Sequence, residues 1–165
     1  MTETLDTDEF RRLMSLFATG VCIVSTAKPG GAPGGITVNS FVSVSLDPML
    51  VCWSLQNNSS QFDLYANAEN FAISILAEDQ IDLARRYAAR ADTQHLDGDF
   101  EIAESGLPTV IDALAVIECK LWSVYPAGDH TMILGEVVRL GGGRHHDRPV
   151  TPLGFFNGKF CRIGD

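Results

Sequence analysis

Residues 113–125 and 130–140 are two long strand candidates joined by Pro126-Ala127-Gly128-Asp129, a turn sequence that reads as a hairpin. A chain carrying such a hairpin is committed there to antiparallel pairing. Gly141-Gly142-Gly143 breaks the second strand, and a last strand follows over residues 153–163, with a bulge or turn at Asn157-Gly158.

The elements before the hairpin are shorter. Phe10, Leu13, Met14 and Phe17 form a helical apolar stripe, and Asp6 with Glu9 reads as its capping box. Val21-Cys22-Ile23-Val24-Ser25-Thr26 is a β-branched strand that ends in the glycine- and proline-rich turn around residues 28–35. From 36 to 46 the even positions Ile36, Val38, Val42, Val44 and Leu46 are apolar, whereas Thr37, Asn39, Ser43 and Ser45 are polar; only Ser40-Phe41 inverts the order. That predicts one strand with a core face and a face rich in hydroxyl and amide groups, suited to solvent or to a polar ligand. After Asp47-Pro48 come a strand over 49–55, a short helix carrying Phe62, Tyr65 and Ala66 with Ser60 and Asp63 as its capping box, a strand over 71–76, and a helix over 79–89 capped by Asp79. Residues 90–108 read as irregular.

This order lacks the strand-helix alternation of a doubly wound sheet. Six or seven strands with few helices point to a mainly β fold, a closed antiparallel barrel with peripheral helices, because closure removes exposed sheet edges. At 165 residues without an internal repeat or linker, the expectation is one domain over 1–165. Net charge is −9, which disfavours nucleic acid and anionic membranes as partners, although local donors can still hold an anionic small ligand. The acidic start lacks a basic-then-apolar leader, and no apolar run reaches the roughly 18 residues of a membrane span, so a cytoplasmic location is expected. Cys22, Cys52, Cys119 and Cys161 lack zinc spacing and read as small hydrophobes.

Few residues suggest chemistry by themselves. The glycines between 30 and 35 lack the lysine-hydroxyl pair of a phosphate loop and open a strand, so they read as a turn. No G-x-G-x-x-G joins a strand to a helix, and any dinucleotide must bind without that fold. Asn57-Asn58-Ser59-Ser60 can offer backbone N–H groups and hydroxyls to a phosphate, although such segments more often simply cap helices. His130 projects from a strand start, as a solvated turn histidine also would; His145-His146-Asp147 reads as solvated, since neighbours on an extended segment point apart. No metal site is expected. Without a nucleophile, paired carboxylates or an activated cysteine at usable spacing, an enzyme of this sequence would rely on a bound cofactor for its chemistry.

Thr37-Val38-Asn39-Ser40-Phe41 followed by Ser43-Val44-Ser45-Leu46-Asp47-Pro48 resembles the short-chain flavin reductase family, the reductase components of two-component flavin monooxygenases. The likeness extends along the chain through Ala18-Thr19-Gly20-Val21, Ser59-Ser60, residues 71–77 with Gln80, Glu118-Cys119, Gly128-Asp129-His130, Gly135-Glu136-Val137, Pro152-Leu153, Phe156 and Gly158. It implies an FMN-binding split β-barrel, a homodimer, that passes hydride from NADH or NADPH to FMN or FAD and supplies a separate monooxygenase. By the same resemblance Thr37, Val38, Asn39 and Ser40 line the flavin ring and ribityl chain, and Ser54, Ser59 and Ser60 lie near its phosphate. His130 would position the nicotinamide, and Phe156 or its neighbour Phe155 would border the site, although an apolar strand core accounts for both. The alternative is a flavin-binding or sensory barrel without turnover. The chain departs from the family pattern at Asp47-Pro48-Met49, where a double proline is frequent, at Gln56-Asn57-Asn58, which lacks a basic residue, and at Gly154, where a larger apolar residue is common.

Overall fold

A computed structural model describes residues 5–88, 96–143 and 151–164 of the chain. His145-His146-Asp147, the end of the helix expected over 79–89 and the start of the stretch 90–108 lie outside the described residues. In chain order the elements are helix α1 (Thr7–Met14), strands β1 (Thr19–Gly20), β2 (Cys22–Ala27), β3 (Pro33–Val38), β4 (Val42–Leu46) and β5 (Met49–Gln56), helix α2 (Phe62–Ala66) and strand β6 (Asn70–Ile75). A 3₁₀ turn (Glu78–Gln80) leads into helix α3 (Ile81–Ala88). Strands β7 (Phe100–Ile102), β8 (Pro108–Val110), β9 (Ala115–Ala127), β10 (His130–Gly142), β11 (Leu153–Phe156) and β12 (Lys159–Arg162) complete it.

The long hairpin forms, and its turn is tighter than the sequence suggests. Ala127 pairs with His130, so the loop is only Gly128-Asp129, with Gly128 at φ 66°. Asn157 and Gly158 likewise take φ 50° and 72° and close a second two-residue hairpin, so the expected single strand over 153–163 is the pair β11–β12. Part of the stretch read as irregular is also a small hairpin, β7–β8. The Ser25 hydroxyl donates to the Pro108 carbonyl at 2.6 Å, and the Val110 N–H donates to the Ser74 hydroxyl at 3.1 Å, which fastens it to the main sheet.

Seven strands pair antiparallel in the order β3-β2-β6-β9-β10-β5-β4, and a three-stranded sheet β1-β11-β12 lies beside them. β3 and β4 are consecutive in sequence yet stand at opposite ends of the seven. A flat sheet would separate them by about 29 Å at the usual strand spacing, whereas the chain from Val38 to Val42 can reach about 14 Å. The sheet is therefore rolled up. Its two edges approach without joining the ladder, so the barrel is split, as the family resemblance implies, and not closed, as the strand count alone suggests; the expected single strand over 36–46 is two strands. The inversion at Ser40-Phe41 marks the break.

Rolling encloses Trp53, Tyr65, Phe71, Ile73 and Ile133, with Trp53 edge-on to both Tyr65 and Phe71. A second cluster packs α3 against the outside of the barrel through Val21, Ile23, Leu76, Ala84, Tyr87 and Leu153. β2 contributes Cys22 and Val24 to one cluster and Ile23 to the other, which explains why its apolar run does not alternate. Two sequence expectations fail here. Val42, Val44 and Leu46 are 53%, 52% and 90% exposed, because β4 is a sheet edge and the bulge between Ser43 and Ser45 breaks the alternation that would put them on one core face. The capping boxes also differ: Asp6 caps α1 by accepting from the Asp8 N–H, while Glu9 pairs with Arg12. α2 starts after Gln61 without a side-chain cap, and Ala77, not Asp79, precedes the 3₁₀ turn, its N–H bonded to the Gln80 side chain.

Candidate functional site

A cleft of about 350 Å³ opens at the split, between the ends of β3 and β5, the segment entering α2 and the last turn of α3. Thr37, Val38, Asn39 and Ser40 form one side, and Ser54, Leu55 and Gln56 face them from β5. Asn58, Ser59, Ser60 and Gln61 close one end, Tyr87 and Ala88 form the α3 wall, and His130 stands at the rim. Residues spread from 37 to 130 meet here because Gln56 and His130 are paired at the last rung of β5 and β10, beside the split.

The hydroxyls have distinct tasks. Thr37 donates to the Ala84 carbonyl of α3 at 2.8 Å, which anchors that helix and leaves only its lone pairs for a ligand. Ser40 accepts the Ser54 N–H at 2.9 Å and ties the crossing segment to β5. Ser59 accepts the Gln61 N–H at 3.2 Å, and the Gln61 amide donates to the Gly35 carbonyl at 3.2 Å. Ser60 is exposed to the cleft and forms no cap with Asp63.

His130 is 37% exposed, and its Nδ1 lies 2.7 Å from a carboxylate oxygen of Asp129. The hydrogen bond from the ring, and then its charge, hold the Asp129 carboxyl below the usual carboxylate range. An ionised Asp129 accepts from Nδ1, which leaves Nε2 for the cleft. Opposite, Tyr87 is oriented by Asp99, which accepts its hydroxyl at 2.7 Å and the Arg86 guanidinium at 2.6 Å. Burial first, and Asp99 second, push the Tyr87 phenol up, so it stays protonated. Cβ atoms at Gly35 would meet the Tyr87 ring at 2.9 Å; the strand passes under this wall only because it lacks a side chain there.

Of the residues expected from sequence, Thr37, Val38, Asn39, Ser40, Ser54, Ser59, Ser60 and His130 all line this one cleft. Phe156 does not. It is 44% exposed and points to the opposite side of β11 from Phe155, which lines a smaller apolar cleft of about 150 Å³ with Val21 and Phe160. The two clefts adjoin through Thr37, Val38, Asn39 and Ala88. Sequence reading overlooked Gln56, Gln61 and Tyr87. Gln56 shares the face of Ser54 by strand period, a usable signal, whereas Tyr87 reads simply as part of an apolar helix stripe.

Residues 14–164 match the model of the flavin reductase like domain. The chain belongs to the flavin reductase family. It is 43% identical over 154 residues, 93% of this chain and 84% of the relative, to the NADH-dependent FMN reductase SmoA of Agrobacterium fabrum. The NADH:FAD oxidoreductase SgcE6 of Streptomyces globisporus, solved with NAD and FAD fragments, superposes with a TM-score of 0.86 at 31% identity, covering 99% of this chain and 98% of that one. BorF, the flavin reductase component of a bacterial two-component tryptophan halogenase, superposes with a TM-score of 0.84 at 33% identity, covering 97% and 99%. The split-barrel architecture of the flavin reductases and their enzymatic class therefore hold for this chain.

The donor set of the cleft fits a flavin. The described lining residues carry hydroxyls and carboxamides, which both donate and accept, with no carboxylate, lysine or arginine among them. A flavin ring edge alternates donors and acceptors while its faces are apolar, a demand met by Asn39 and Ser40 beside Val38, Leu55 and Tyr87.

Proposed function

We propose that this flavin reductase oxidises NADH, and NADPH less readily, at the cleft of the barrel split, and hands reduced FMN or FAD to a separate monooxygenase. The observation that carries this reading is the cleft whose described lining gathers hydroxyls and carboxamides, with His130 at its rim. A bound flavin supplies the hydride acceptor. The protein's part is proximity and orientation, since hydride transfer from a nicotinamide to a flavin would need no protein nucleophile. In this reading Thr37, Val38, Asn39 and Ser40 hold the ring and ribityl chain, and Ser54, Ser59 and Ser60 receive the phosphate. His130, oriented by Asp129, positions the nicotinamide; Phe155 takes the bordering place expected of Phe156. SgcE6 with its NAD and FAD fragments supports the pairing of donor and flavin, and the reductase components of a trigonelline monooxygenase and a styrene monooxygenase support a partner monooxygenase.

The reading includes one domain over 1–165, a cytoplasmic setting and a homodimer. No helix among the described residues is long and apolar enough to cross a membrane. Support for the dimer is an apolar band on the outer face of the sheet. Tyr125, Met132 and Ser54 are cross-strand neighbours there, as are Leu134, Cys52 and Val42, and Tyr125, Met132 and Val42 are exposed. Since Ser54 belongs to both band and cleft, a second copy on the band would also wall the cleft.

The test is anaerobic oxidation of NADH and NADPH, followed by absorbance, with no flavin, FMN and FAD added in turn. Flavin-dependent oxidation that is faster with NADH is expected. Retention of flavin without oxidation of either donor would replace the reading with a flavin-binding barrel.

A further inference from the structure

His130 and the Asn58–Ser60 segment of the cleft are joined by a residue that is not among the lining residues. Asn57 follows Gln56, the ladder partner of His130. Its backbone N–H donates to the Asp129 carbonyl at 3.0 Å, its Nδ2 donates to the Gly128 carbonyl at 3.2 Å, and its Oδ1 accepts the Thr131 hydroxyl at 2.8 Å. His130 thus stands between two residues that are both bonded to Asn57, one through backbone and one through side chain. A carbonyl cannot donate, so the Gly128 oxygen fixes which end of the carboxamide faces it, and the other end meets Thr131. A carboxylate in this place could only accept, and would confront the Gly128 carbonyl. Thr131 is buried, so its hydroxyl has little access to water as a substitute partner. On its other side Asn57 leads directly into Asn58, Ser59 and Ser60, which also line the cleft.

We infer that Asn57 is a positioning residue: one carboxamide sets His130 and the Asn58–Ser60 segment relative to each other, and so couples donor use to flavin binding. The inference rests on the proposed use of the cleft. It is tested with Asn57→Ala, Thr131→Val, Thr131→Ser and His130→Ala, read by FMN affinity in the absence of donor, by kcat and KM for NADH, by melting temperature, and by NMR of the His130 imidazole. Asn57→Ala should weaken FMN binding and raise KM for NADH, each by about fivefold or more, the loss expected for a net hydrogen bond, and should shift the His130 resonances. Thr131→Val should move the NADH parameters and the imidazole but not FMN affinity, and Thr131→Ser should restore both. In a His130→Ala background, Asn57→Ala should add nothing to the NADH defect while still weakening FMN.

Unmoved imidazole resonances, multiplicative NADH defects, or a lowered melting temperature with unchanged kinetics would each overturn the inference. If Asn57→Ala does not fold, the Thr131 pair decides by the same readouts. A wild-type protein that oxidises no donor would sink the proposed function, yet the imidazole spectra would still decide whether Asn57 orients His130.

Discussion

Ser40 and Ser60 have the same side chain and opposite duties, which follow from their partners. Ser40 accepts a backbone N–H of β5, so its loss should loosen the split itself; Ser60 offers an exposed hydroxyl to the cleft. Ser60→Ala should therefore weaken FMN more than riboflavin, by about 1 kcal/mol if the hydroxyl meets the phosphate; equal weakening, measured by flavin fluorescence quenching, would return Ser60 to a purely local role. Asp99 shows how a residue away from the cleft shapes its wall. Burial alone would raise its carboxyl, but hydrogen bonds from Arg86, the Leu96 N–H and Tyr87 outweigh it and hold the group below its ordinary range. A carboxyl lowered on folding adds stability that is complete above its unfolded value of about 3.9 and fades as pH falls through the lower folded value. Asp99→Ala should cost about 2 kcal/mol in urea unfolding at neutral pH. That gap should close below about pH 4; a gap independent of pH would show that packing, not charge, holds Tyr87.

At the scale of elements, the hairpin β9–β10 sets the geometry, and Gly135 is where it is tightest. A Cβ there would lie 2.6 Å from the Phe71 ring and 2.8 Å from the Cys119 Cβ, beside the register shift between Leu134 and Gly135. Gly135→Ala should destabilise by about 2 kcal/mol through overpacking, whereas Gly20→Ala, with open space around its Cβ, should cost far less. Comparable losses in denaturant unfolding would mean that β10 moves aside freely. The long hairpin was legible because turn chemistry is local: Gly128-Asp129 declares its reversal whatever surrounds it, whereas Asn157-Gly158 fitted a bulge or turn within one strand as well as the hairpin it forms. The strand over 36–46 was not legible as two. Its alternation survives the break, and only the inversion at Ser40-Phe41 betrays that the chain is crossing between sheet edges.

For the whole molecule, the exposed apolar residues carry the next test. Tyr125 and Met132 are 52% and 40% exposed on a continuous outer band, so the native mass should be about twice the 17.9 kDa of the chain. Met132→Asp should yield a folded monomer by sedimentation, with weakened flavin retention. A wild-type monomer would remove the second copy from the cleft. The cysteines give a complementary probe of the intact fold, because burial pushes the Cys22 and Cys119 thiols up to about 12. These two should resist thiol reagents until the protein unfolds, while half-buried Cys161 reacts first.

What the sequence determined by itself was local: the turn of the long hairpin, the short strands, the helical stripes, and a hydroxyl- and amide-rich strand whose order of motifs resembles the flavin reductases. What the tertiary structure decided was which ends meet. Only the rolled sheet brings Thr37, Ser54, Ser60 and His130 to one cleft, commits the Thr37 hydroxyl to α3, and turns Phe156 away from the cleft while Phe155 faces its neighbour. The physical reason is range. Turn and strand preferences act within a few residues, so periodicity records them, whereas burial depends on partners many strands away; the alternation of Val42, Val44 and Leu46 looks the same in sequence whether the strand is covered by a core or left as a bulged, exposed edge.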